Sequence, residues 1–132
     1  MKEETKKEDN VRTRTQLMAQ YAWEKTKSAL NKENFVQLAK GAPALVMANG
    51  LMQALAYWQA RGKDGGKELV STVAGWLIGS EGPKDGGFQQ LMEHLHQATS
   101  AEFASKTREA LELLRWVKQF ASALEEKEKA GE

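Results

Sequence analysis

The sequence predicts an all-α fold, a single-domain irregular helical bundle of five to six helices around a central apolar helix. Three observations predict it. No stretch alternates apolar and polar residues with period two over a useful length. Apolar residues instead recur at spacings of three and four. The 132 residues suit one hydrophobic core and not two. The expected organisation is a charged arm over residues 1–11, the bundle over 12–125 and a frayed charged tail over 126–132.

The first ten residues, MKEETKKEDN, hold no apolar side chain after the first and have nothing to bury. No apolar run follows these charges, so a signal peptide is not expected and cytoplasmic residence is. Thr13 with Gln16 forms a capping box for the first helix. Val11, Met18, Ala22 and Ala29 make its stripe, Leu17 and Tyr21 flank it, and it is expected to reach Leu30. Asn31 then caps a short second helix through Phe35, Val36, Leu38 and Ala39, ended by a cation, Lys40, and a glycine, Gly41.

Pro43 suits the first turn of a third helix that reaches Arg61 and is apolar nearly all round, which makes it the expected centre of the bundle. Asn49, Gln53 and Gln59 make it a poor membrane span, because unpaired amides are costly in lipid. Gly50 and Ala54, one turn apart, would let another helix approach closely. Gly62, Gly65 and Gly66 punctuate the next connection. Leu69, Val70, Val73, Trp76 and Leu77 then face inward from a fourth helix that stops at Gly79. Ser80 to Gly87, with Pro83 and three glycines, is the expected long loop. Phe88, Leu91, Met92 and Leu95 supply a fifth helix. A capping box of Thr99 and Glu102 starts the last, which runs through Phe103, Ala110, Leu114, Val117 and Leu124.

Catalytic signals are poor, and no enzyme, cofactor or metal site is expected. With no cysteine there is no disulfide framework, thiol nucleophile or zinc knuckle. His94 and His96 point to nearly opposite sides of a helix, unlike the i, i+4 pair that converges on one metal. Glu109 and Glu112 share a face and would suit a hard cation or an acid and base pair. Arg108 and Arg115 beside them favour surface ion pairs instead. No glycine-rich phosphate cradle follows a strand. A dispersed enzyme site leaves no local string and is carried as the third reading.

Charge says more than the net +1 suggests. Up to Lys67 there are 12 basic and 7 acidic residues and after it 7 and 11, so the halves carry +5 and −4. A basic half suits a polyanion, although halves of a sequence need not be halves of a surface. On the first helix Arg14, Tyr21 and Lys25 lie within about 40° of one another at 100° per residue. That strip would hold phosphates and stack a base. The alternative is that its long stems lie along the core edge while Tyr21 packs. Lys40, Arg61, Lys63 and Lys67 fall near helix ends, where cations reach phosphates or simply complement helix C-termini. Trp23 lies on another sector beside Arg12, Gln16 and Lys27, which suggests an anchor for a protein contact.

Together these segments resemble a known family, the small α-helical subunit (the fifth Cmr protein) of the Cmr, or type III-B, CRISPR-associated effector complex. The resemblance runs from about Arg12 to Ala123. It is carried by RTRTQLMAQYAWEKT, with Arg14, Gln16, Met18 and Tyr21, by PALVMANGLMQALAYW, with Pro43, Asn49 and Gly50, and by REALELLRWVKQFASAL. It implies a non-enzymatic subunit stacked in a few copies along the spine of an antiviral ribonucleoprotein. Its implied partners are the large polymerase-like subunit, the repeated backbone subunits, neighbouring copies of itself, and guide RNA and target RNA. Arg14, Tyr21 and Lys25 lie in a matching segment, whereas Lys40, Arg61, Lys63 and Lys67 are RNA-contact candidates from charge alone. Trp23, Glu109 and Glu112 are the expected protein-interface residues. The competing reading is a stand-alone helical adaptor that binds a protein through Trp23 and never meets nucleic acid.

Overall fold

The computed structural model describes residues 11–79 and 87–131, with side chains to Glu125. Among them six α-helices follow in order: α1 (Arg14–Ala29), α2 (Phe35–Asn49), α3 (Leu51–Ala60), α4 (Gly66–Ile78), α5 (Phe88–Gln97) and α6 (Ser100–Gly131), with a 3-10 turn, Gly62–Asp64, between α3 and α4. The described residues contain no strand, and the all-α expectation holds. Residues 1–10 of the expected 1–11 arm and residues 80–86 of the expected loop lie outside the described residues.

α1 starts as its capping box requires. The Gln16 amide N–H donates to Thr13 Oγ1 at 3.1 Å, and the Thr13 amide donates to Gln16 Oε1 at 2.7 Å. Met18, Ala22, Thr26 and Ala29 are its buried side. Val11, expected on that stripe, is 72% exposed, because the helix begins only at Arg14 and does not carry the stripe back that far.

The middle of the chain differs from the expectation. No helix ends at Lys40 and Gly41, and Asn34, in the left-handed region at φ 67°, precedes α2 instead of Asn31. α2 runs through both Gly41 and Pro43, although an interior glycine costs about 1 kcal/mol and an interior proline about 3. The reason is register: Phe35, Ala39, Ala42, Pro43 and Val46 share one buried side, and α2 has its most extensive contact with α6. The long helix breaks at Gly50 (φ 88°, ψ 160°), which serves both sides of the break. Its N–H donates to the Val46 carbonyl at 2.8 Å, and its carbonyl accepts from the Ala54 N–H at 3.1 Å. A Cβ on Gly50 would meet nothing within 4 Å, so the glycine provides backbone freedom and not the close helix approach expected of it.

The central apolar helix is α4 and not the stretch from Pro43 to Arg61, which is divided between α2 and α3. α4 packs against each of the other five helices and buries Leu69, Val70, Thr72, Val73, Ala74 and Leu77. Trp58 and Leu55 from α3, Phe35 from α2, and Leu113, Leu114 and Val117 from α6 close around it. The turn from α3 is tight: a Cβ on Gly66 would stand 1.9 Å from the Trp58 carbonyl oxygen. Among the described residues, no helix is long and apolar enough to cross a membrane.

Candidate functional site

The basic strip of α1 is spent within the bundle. Arg14 reaches across to α6, with Nη2 3.2 Å from Glu109 Oε1 and Nη1 3.1 Å from Glu112 Oε2. Hydrogen bonds to Glu112 and then to Glu109 hold its guanidinium above the ordinary arginine range. Glu109 also accepts from the Trp76 indole N–H at 3.1 Å. The Tyr21 hydroxyl donates to the Thr72 carbonyl at 2.7 Å, its ring lies 5.4 Å from that of Trp76, and Lys25 Nζ stands 5.5 Å from its centroid. Arg14 of the expected RNA strip and the expected acidic docking pair are therefore partners of each other across α1 and α6. The half-buried Tyr21 ring is packed, as in the alternative reading of that strip.

Trp23 is 37% exposed, and its ring meets Phe120 of α6 edge-on at 5.2 Å, while Phe120 stacks on Trp116 at 5.5 Å. Along the same α1–α6 seam lies a groove of about 330 Å³ lined by Thr15, Met18, Glu112, Arg115, Trp116 and Gln119. Lys40 is paired with Glu125 at 3.1 Å.

A different set of cations faces outward where α3, the 3-10 turn and α4 meet. Arg61, Lys63 and Lys67 are exposed, and among the described residues none of them forms an ion pair. Asp64 is the exposed acid of this turn. The Arg61 guanidinium lies 4.0 Å from the centroid of the Tyr57 ring, itself 41% exposed. This cation–π contact follows from i, i+4 spacing on one helix face. Tyr57 escaped the sequence reading, although that spacing from Arg61 was there to see. Beside it a hollow of about 190 Å³ opens between α2 and α3, lined by Gln37, Leu38, Gly41, Leu45, Tyr57 and Trp58. Gln37 and Gly41 were invisible as lining because α2 was expected to end at Gly41. The result is a small corner of cations, one aromatic face and a recess, which suits phosphate contact and stacking.

His94 and His96 are both exposed on α5, and among the described residues no three His, Asp or Glu side chains gather as a metal site.

Comparison with known proteins adds identity to this geometry. A family model described as CRISPR-associated protein (Cas_Cmr5) matches residues 14–124. The CRISPR system Cmr subunit Cmr5 of Thermus thermophilus is 37% identical over 117 residues, covering 86% of this chain and 97% of that one. A crystal structure of a CRISPR-associated Cmr5 family protein from the same organism superposes with a TM-score of 0.72 at 37% identity. That match covers 86% of this chain and 98% of the other.

Proposed function

The chain belongs to the Cmr5 family of CRISPR-associated proteins, and from that membership we propose that it acts as a non-catalytic structural subunit of a Cmr effector complex, touching guide and target RNA through sequence-independent phosphate contacts. The observation that carries the RNA part is the exposed trio Arg61, Lys63 and Lys67, with no ion pair among the described residues. Phosphate contacts fix position without reading sequence, which suits a complex that must accept any guide. Arg14, Tyr21, Lys25 and Lys40 are engaged within the bundle, so the α3–α4 corner is the better candidate for RNA. Contact with neighbouring subunits we assign to the α1–α6 seam, where Trp23 stays partly exposed beside the larger groove. Stacking of copies along the complex spine belongs to the same reading.

The test is a triple reversal, Arg61→Glu, Lys63→Glu and Lys67→Glu, introduced into the assembled complex. Assembly should persist while RNA affinity at low salt falls at least about tenfold, given that several cations are removed and repulsion replaces them. Unchanged affinity in an intact assembly would overturn the assignment. Trp23→Ala should do the reverse, weakening assembly and leaving the corner's RNA contact alone. If Trp23→Ala impaired binding of a partner outside any RNA complex, and the triple reversal had no effect on RNA, the stand-alone adaptor would be the better reading.

A further inference from the structure

We propose that the hollow between α2 and α3 holds one unpaired nucleobase of single-stranded RNA, with Tyr57 as its stacking wall and Arg61, held against the Tyr57 ring, as the neighbouring cation. This rests on the RNA-contacting reading above and adds a base-binding site to a surface so far assigned only to phosphates. At about 190 Å³ the recess lies below the roughly 300 Å³ at which drug-sized pockets begin, which suits a single planar ring. Leu38, Leu45 and Trp58 supply apolar lining, and Gln37 supplies one amide able both to donate and to accept. The guanidinium held 4.0 Å from the Tyr57 centroid sets a cation against the aromatic wall of the hollow. Lys63 and Lys67 are exposed in the adjoining turn and helix, close along the chain to Arg61, and in this proposal they take the phosphates on either side of the base. The excess of cations over acids here favours a polyanion over an apolar protein side chain.

Gly41 is the independent clue. It lies inside α2 without a positive φ, and a Cβ there would meet no atom within 4 Å. Glycine in a helix interior is less stable than alanine, yet here neither the backbone nor the packing requires it. What the missing side chain does is leave one wall of the hollow bare. The same position therefore offers a variant that blocks the recess without disturbing the fold.

The experiment uses the full chain and a single-stranded RNA decamer carrying 2-aminopurine, read by fluorescence quenching and by affinity at low salt. Wild type should bind and quench. Gly41→Leu should keep or raise its melting temperature, still bind through the remaining phosphate contacts but with roughly 5- to 150-fold lower affinity, and lose the quenching. Tyr57→Ala should lose quenching and roughly 5- to 150-fold in affinity, the usual worth of one stacked base. Binding and quenching unchanged in both variants would overturn the stacking site while leaving the phosphate reading in place. No binding by wild type even at low salt would remove both. If Gly41→Leu spared quenching but weakened assembly with other Cmr subunits, the recess would belong to a protein side chain and the proposal would fail.

Discussion

Tyr21 and Arg14 show how a residue that reads as a ligand contact becomes part of the scaffold. Both stand on the α1 face predicted to meet RNA, but groups far away in sequence engage them: the Thr72 carbonyl draws the Tyr21 hydroxyl toward α4, and the carboxylates of Glu109 and Glu112 hold the exposed Arg14 against α6. Helical phase alone placed Arg14, Tyr21 and Lys25 on one side correctly. It was silent about which helix would cover that side. Tyr21→Phe removes one half-buried hydrogen bond and should cost about 0.5–1.5 kcal/mol, seen as a lower melting temperature with RNA affinity unchanged. A loss of RNA binding without loss of stability would instead make the Tyr21 hydroxyl a ligand group. Arg14 is a poor probe of RNA contact, because Arg14→Glu would set a third carboxylate against Glu109 and Glu112 and report on the fold.

At the scale of elements, most of the architecture was legible where local signals agreed. The capping box of Thr13 and Gln16, the stop at Gly79 and the face of Phe88, Leu91 and Leu95 all stand where the pattern put them. The α2–α3 region misled because Gly41 and Pro43 are strong local punctuation, while the buried row from Phe35 to Val46 is a tertiary demand that outweighs it. Gly50, inside an apolar run, gave no sign of the positive φ it adopts. Gly50→Ala meets no steric obstacle, so its cost is backbone strain alone, about 1–3 kcal/mol. Thermal or denaturant unfolding should show it. Gly66→Ala is the contrasting case: its Cβ would collide with the Trp58 carbonyl, a backbone atom. Destabilisation at or beyond the upper end of the roughly 1–3 kcal/mol typical of overpacking is expected. A Gly66→Ala protein as stable as wild type would mean that the α3–α4 turn is looser than this packing implies.

At the scale of the molecule, part of the basic half of the sequence is answered by acids of the other half. Arg14 with Glu109 and Glu112, and Lys40 with Glu125, tie the first half to α6. Pairing across the bundle was not visible in a charge count, because it depends on which helices become neighbours. Among the cations facing outward, Arg61, Lys63 and Lys67 were legible as candidates; the Tyr57 face and the recess beside it were not, since they arise only when α2 continues past Gly41 and meets α3. The central claim is that this corner contacts RNA phosphates, and the salt dependence of binding tests it most directly. Titration of single-stranded RNA across a range of salt should give a linear dependence of log affinity on log salt for wild type. Each lost phosphate contact lowers the slope by about 0.7. The combined Arg61→Ala, Lys63→Ala and Lys67→Ala protein should therefore show a slope shallower by about 2, and an unchanged slope would contradict the account.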